Sequence, residues 1–464
     1  MTRKSPLADD ERRRLLSRVE AMQNADRGRR TADPARDAAR AATQPSRLSG
    51  KAATDFATLP GYEELLVQRS LGERFGVANP YHKMHEGLAG ARTRIDGRTF
   101  LNFSCYDYLG LNGHLEIMDA AKTAMDRYGL SSSASRIVAG ERAAHRDLET
   151  ALARHYDAEA ALVFVSGYGT NVGVIGQLVG ARDLVIADAA AHNSITMGGV
   201  MSGAARRSFA HNDLDQLEQL LTAERDRFER VLIVVEGLYS MDGDVPDLAR
   251  LIEIKSRHCA WLMVDEAHAL GVIGARGSGI AEHCAVDPRG VDIWMGTLSK
   301  TLVGCGGYIA GSGVLVDYLR SFAGAFVYSV GMPPLIAAAG SAALDILHRE
   351  PQRVARLQAN ARYFRTQARR LAFDTGTSAG VAVAPIIIGD SLPAVLLSQR
   401  LFERGINVQP VLHPGVPART ARLRFFVTAM HTEQDIDTAL SATAEELAAI
   451  PAAIRELNIP GYPS

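Results

Sequence analysis

The chain has 464 residues, 47% of them hydrophobic and 22% charged, which is enough apolar mass for a large core and more than one structural unit. A formal net charge of -1 gives no global field to steer the protein toward nucleic acid or an anionic membrane, so small neutral or mixed-charge partners are favoured. Four cysteines, Cys105, Cys259, Cys284 and Cys305, stand without a CxxC pair; this argues against a disulfide framework and a zinc site, and for a reducing cytoplasm.

Residues 1–60, rich in Arg, Ala, Asp and Ser, read as a poorly ordered or linker-like extension. Leu15, Leu16, Val19 and Met22 hint at an amphipathic turn, and the run Asp9–Met22 resembles linkers of modular polyketide and peptide synthetases. Asp9, Asp10 and Glu11 speak against a signal or transit peptide, and acidic residues dilute the charge of Arg27, Arg29 and Arg30. An N-terminal segment is expected over 61–110, a large domain over 111–335 and a smaller α+β domain over 336–464. Short apolar runs alternate with amphipathic stretches, the pattern of an α/β fold. The predicted strands are Ala161–Val165, Leu184–Ala187, Val231–Glu236, Trp261–Asp265, Ile293–Met295 and Gly307–Ala310, with two more near Val381–Ile388 and Leu423–Val427. Helices are expected at Asp213–Arg227, with Asp213 as N-cap, and at Asp247–His258. Two uncharged stretches, Ala160–Ala181 and Ser321–Leu344, read as buried core rather than membrane spans, because one carries five glycines with Ser166, Asn171 and Gln177, and the other Pro333 and Pro334.

The strongest local signal is Val264-Asp265-Glu266-Ala267-His268 at the end of an apolar strand, where α/β folds bind ligands. Asp-Glu-Ala-His is also a helicase box, but a helicase needs a GxxxxGK[ST] phosphate loop. Here Trp294 and Ser299 stand where its glycines belong ahead of Lys300 and Thr301. The alternative sets Asp265 against the ring nitrogen of pyridoxal 5'-phosphate (PLP), keeping the ring protonated and electron-withdrawing. His268 then reaches the cofactor's phenolic oxygen; taken alone, the cluster is equally a helix cap and a packed histidine. Downstream, Gly296-Thr297-Leu298-Ser299-Lys300-Thr301 follows another strand and precedes Gly304, Gly306 and Gly307. Lys300 supplies the amine for a Schiff base and Thr297 a hydroxyl for the phosphate, where a lone Ser-x-Lys string reads as a surface lysine. Ser166-Gly167-Tyr168-Gly169-Thr170-Asn171 opens a helix that can offer amides to a phosphate, and His192 offers a flat plate for the ring.

These motifs resemble the α-oxoamine synthase family, which includes 8-amino-7-oxononanoate synthase, glycine C-acetyltransferase, 5-aminolevulinate synthase and serine palmitoyltransferase. The likeness runs from about Asn102 to Ala444 and includes Asn102-Phe103-Ser104, Asp107-Tyr108-Leu109-Gly110, Glu236-Gly237-Leu238-Tyr239-Ser240-Met241-Asp242-Gly243-Asp244 and Ala421-Arg422-Leu423-Arg424 with Thr428, Ala429, His431 and Thr432. The resemblance implies a PLP fold type I homodimer with a seven-stranded sheet. Lys300, Asp265 and His192 are implied as catalytic; Gly167, Tyr168, Ser240, His268 and Thr297 as cofactor-binding; and Ser329 as the residue a neighbouring subunit brings to the phosphate. Arg424 matches the position that grips the substrate carboxylate, which suits guanidinium geometry. Tyr106 and Gly415 fall at substrate positions and depart from the family pattern, as do Val330 and the serines of Ser131-Ser132-Ser133-Ala134-Ser135-Arg136. The implied reaction condenses alanine, glycine or serine with an acyl thioester, on coenzyme A or an acyl carrier protein, with loss of carbon dioxide. It yields an α-amino ketone in polyketide, lipid or other specialised biosynthesis. The rivals are an aminotransferase or lyase on the same cofactor, and a non-catalytic cofactor-binding regulator, against which no helix-turn-helix pattern precedes the domain.

Overall fold

The computed structural model describes residues 53–457; the amphipathic run Asp9–Met22 and the arginines at 27–30 lie outside them. The described residues up to Asn79 form one compact unit and the described residues from Pro80 a second. In the first, the helix Pro60–Phe75 starts on a proline whose fixed φ suits the first helical position.

The second unit is built on a seven-stranded sheet. Its strands are β4 (Ala160–Phe164), β5 (Leu184–Asp188), β6 (Ala205–Phe209), β7 (Val231–Glu236), β8 (Trp261–Asp265), β9 (Ile293–Thr297) and β10 (Gly307–Gly311), in the order β4-β10-β9-β8-β7-β5-β6. Only β10 runs antiparallel to its neighbours. Ahead of these lie β1 (His85–Glu86), β2 (Arg92–Ile95) and β3 (Arg98–Asn102). After them come β11 (Val383–Gly389), β12 (Ile406–Asn407), β13 (Gln409–Val411) and β14 (Ala421–Phe426). β12 pairs in parallel with β3 to close the sheet β1-β2-β3-β12, and β11-β14-β13 forms an antiparallel sheet of its own.

Residue type explains the elements. All six residues of β7, Val-Leu-Ile-Val-Val-Glu, are buried, as a β-branched run covered on both faces by helices should be. The helix Leu248–Arg257 buries Leu248, Leu251 and Ile254 at helical spacing, and Asp247 caps it by accepting from the Arg250 amide. Asp213 likewise accepts from the Gln216 amide, although the helix it opens, Leu214–Glu224, tightens into a 3-10 turn over Arg225–Arg227.

The helix Pro334–Arg349 buries Ala337, Ala339, Ala343, Leu344 and Leu347 in the same core that covers β7 and β8. The uncharged stretch 160–181 is β4 followed by the helix Gly167–Leu178, and 321–344 is broken by Pro333 and Pro334. Among the described residues no helix is long and apolar enough to cross a membrane.

Candidate active site

Parallel register brings acidic strand ends to one level: Glu236 at the end of β7 pairs with Asp265 at the end of β8, and Asp265 with Met295 of β9. Both carboxylates are buried, at 3% and 4% exposure. Asp265 accepts from the Ala267 amide at 2.9 Å and from Asn171 Nδ2 at 2.8 Å. Burial first, and then the neighbouring Asp265 charge, raises the pKa of Glu236, whose Oε1 accepts from the His192 amide at 2.7 Å. Glu266, the next letter of the box, turns into the core, where Oε1 accepts from the Ile280 amide at 3.0 Å and burial lifts its pKa to about 8.

Lys300 follows β9. Its Nζ lies 5.8 Å from the Tyr106 ring centroid, and burial lowers its pKa to about 8 even though Asp265 and Glu236 pull the other way. Tyr106, 40% exposed, meets His268 edge-on at 6.0 Å and Phe426 at 4.9 Å. His268 is buried, its pKa pushed well down by burial and then by the Lys300 and Arg424 charges; Nδ1 lies 2.7 Å from the Tyr108 hydroxyl. His192 is solvent-accessible as a residue, yet partial burial of its ring lowers its pKa too.

Arg424 and Arg422 share one face of β14 by two-residue alternation, and both reach the loop after β7. Arg424 Nη1 donates to the Ser240 carbonyl at 3.0 Å, and Arg422 Nη1 to Asp242 at 2.5 Å. Arg424 Nε is buried without a partner, a donor aimed at nothing within the protein.

Two backbone features shape the cradle beside Lys300. Ser166 caps the helix Gly167–Leu178 by accepting from the Gly169 amide, and helix geometry leaves the Gly167 and Tyr168 amides without intrahelical acceptors. A Cβ at Gly167 would stand 2.7 Å from Thr297 Oγ1, so only glycine allows the strand and the helix start to approach. Gly306, at φ 145°, would drive a Cβ to 2.7 Å from the Phe164 carbonyl. Thr297 Oγ1 sits between Ser299 Oγ at 2.8 Å and the Gly306 carbonyl at 2.9 Å.

The structure thus gathers Lys300, Asp265, His268, His192, Thr297, Gly167, Tyr106, Ser240 and Arg424 at the carboxyl ends of the strands. Tyr168 joins through its hydroxyl, which donates to Asn193 Oδ1 at 3.2 Å. Gly415 and Ser329 make no described hydrogen bond to these residues. Gly415 is exposed on the turn after β13, its amide bonded to the Leu412 carbonyl. Ser329 follows the short helix Gly324–Val327, its amide on the Phe326 carbonyl. Ser133, in the serine-rich loop, adopts φ 60°, a conformation glycine takes at little cost. Sequence reasoning missed Asn171, Ser194, Glu236 and Tyr108 as site residues. Glu236 was the most legible of them, as a carboxylate ending a wholly apolar strand.

These residues fit PLP. A buried carboxylate stands at the strand ends where it could meet a ring nitrogen, a lysine of depressed pKa supplies the amine, two helix-start amides lack intrahelical acceptors for a phosphate to fill, and the Arg424 guanidinium keeps an unpartnered donor.

The sequence profile of the family described as aminotransferase class I and II matches residues 98–442. An 8-amino-7-oxononanoate synthase from Symbiobacterium thermophilum is 40% identical over 354 residues, covering 76% of this chain and 90% of that protein. Serine palmitoyltransferase of Sphingomonas wittichii superposes with a TM-score of 0.80 at 29% identity, over 86% of this chain and 99% of that one. A serine palmitoyltransferase from S. paucimobilis with PLP bound reaches 0.81 at 27% identity, over 86% and 100%.

Proposed function

This chain belongs to the class I and II aminotransferase family, and on that premise we propose that it is a PLP-dependent acyltransferase joining a small amino acid to an acyl thioester. Alanine, glycine and serine are the amino acids considered, and coenzyme A or a carrier protein the thiol. Bound in the cleft, PLP supplies a protonated ring that draws electrons from the amino acid's α carbon.

The remaining work falls to the chain's own groups. Lys300 would hold the cofactor through its amine and would take up the α proton; a pKa near 8 leaves roughly a tenth of that amine uncharged at pH 7, far more than an ordinary lysine keeps. Asp265 would stand opposite the ring nitrogen, and Asn171 and the Ala267 amide hold that carboxylate in place. Burial keeps His268 neutral, so Tyr108 can donate to Nδ1 and the other ring nitrogen would be left to donate to the phenolic oxygen. Arg424, steadied by the Ser240 carbonyl, is the guanidinium that would take the substrate carboxylate. The amides that open the helix at Gly167, with Thr297 beside them, would hold the phosphate. Tyr106 and Gly415 border the substrates, and Ser329 serves the phosphate of a neighbouring subunit in a homodimer.

The observation that carries this reading is the convergence of Lys300, Asp265 and Arg424 at the carboxyl ends of β8 and β9. The experiment is to incubate the holoenzyme with each amino acid and acyl thioesters of several lengths, recording free thiol and carbon dioxide. The expected result is one equivalent of each per molecule of α-amino ketone. Turnover that needs a keto-acid acceptor and releases no thiol would instead identify an aminotransferase.

A further inference from the structure

Behind the cleft, a line of hydrogen bonds runs from Asp265 to His192, and its direction is fixed at one end. An ionised carboxylate only accepts, so the 2.8 Å contact at Asp265 Oδ2 makes Asn171 Nδ2 the donor. The second hydrogen on that nitrogen is left for Ser194 Oγ at 2.9 Å. Asn171 Oδ1 is buried without a partner; the amide is therefore oriented by giving both hydrogens, and the flipped orientation would set an oxygen against the carboxylate. A hydroxyl that accepts from Asn171 has its own proton to give, and His192 Nδ1 stands 2.7 Å from it. The Ser194 amide approaches the same nitrogen at 3.3 Å. Nδ1 thus accepts twice, which places the ring proton of neutral His192 on Nε2.

Asn171 and Ser194 are 1% and 0% exposed, so the line is shielded from solvent and each bond polarises the next. It joins three elements: β8, the first turns of the helix Gly167–Leu178, and the start of the helix Asn193–Ser202. Glu236 of β7, Lys300 after β9 and Arg424 of β14 also bear on this region, through the His192 amide and through their charges.

We propose that Asn171 and Ser194 are positioning residues that bind His192 to Asp265 as one unit, fixing the Nε2–H tautomer and the ring's attitude at the cleft. The catalytic consequence rests on the reading that Asp265 faces the cofactor ring; the tautomer itself does not.

Histidine-selective 15N NMR tests this on the full-length protein with and without PLP, with the His192 signal identified by its loss in His192→Gln. The wild type is expected to show one tautomer protonated on Nε2 in both forms. Ser194→Ala, which removes one oxygen from a buried site, is expected to mix the two tautomers, as is Asn171→Leu, whereas Ser194→Thr keeps the wild-type signal. In turnover, Ser194→Ala is expected to lower kcat about tenfold with KM nearly unchanged, the pattern of a lost orienting contact. A wild-type proton on Nδ1, or a single Nε2–H signal surviving in Ser194→Ala, overturns the proposal. If the protein takes up no PLP, the proposed function fails while the NMR result stands on its own.

Discussion

At Lys300 two effects oppose each other: burial strips water from the ammonium, and the Asp265 and Glu236 carboxylates favour keeping the charge. Burial wins, and the pKa falls from 10.5 to about 8. Uptake of PLP by the apo-protein needs the uncharged amine, so its rate should climb as pH rises and level off above a midpoint near 8. Stopped-flow absorbance across that range gives the midpoint; a value near 10.5 would mean an unperturbed, solvated lysine. Lys300, Asp265, His268 and His192 were legible in the sequence because their chemistry is announced by residue type and by order along the chain. Asn171, Ser194 and Tyr108 were not, since their roles come from contacts across 94, 23 and 160 residues or from the turn that folds around them. No periodicity records such distances.

Among the elements, the loops after β5 and β7 are tied by one imidazole. His211 Nδ1 and Nε2 each stand 2.9 Å from a carboxylate oxygen, of Asp188 and of Asp244, and Thr377 donates to Asp244 at 2.8 Å. Burial opposes charging this ring, but the two hydrogen bonds outweigh it and push the pKa up to about 10. Because the folded value is raised, the stabilisation is complete below about pH 6.5 and is lost as pH rises through 10. Replacing His211 by Gln leaves two carboxylates facing each other. With the ring a quarter exposed, the loss should be about 2–3 kcal/mol near neutral pH, below the range for a fully buried pair. Urea melts of both proteins should show a gap that narrows above pH 10; a constant gap would mean the imidazolium adds nothing.

Strand β6 escaped sequence reading for a related reason. It is Ala-Arg-Arg-Ser-Phe at the edge of the sheet, with Phe209 its one buried residue, so it lacks the apolar run that betrayed β7. β12 and β13 are two and three residues long; β12 exists only through pairing with β3, far back along the chain, and β13 through pairing with β14. The longer strands β11 and β14 were visible because their apolar residues sit together.

For the molecule as a whole, the large sheet sets its acidic strand ends on one side, and the β14 arginines close over the loop after β7. The Gly331 amide donates to the Ala134 carbonyl at 2.9 Å, bringing the segment with Tyr328 and Val330 beside the one with Ile137 and Val138. These four are 89%, 49%, 55% and 80% exposed, an apolar surface of the kind that marks a protein interface. A homodimer built there buries them and places Ser329 between subunits. Light scattering should give twice the 49.9 kDa chain mass, falling toward the monomer in the pair Val138→Asp, Tyr328→Asp. A monomeric wild type at micromolar concentration would remove Ser329 from the site.

All of this chemistry depends on one amine holding the cofactor. Reducing the PLP-treated protein with borohydride and mapping its peptides by mass reads that bond directly: a phosphopyridoxyl group is predicted on Lys300 and its absence in Lys300→Ala. An adduct on Lys83, Lys122 or Lys255 with Lys300 unmodified, or no adduct at all, would contradict it.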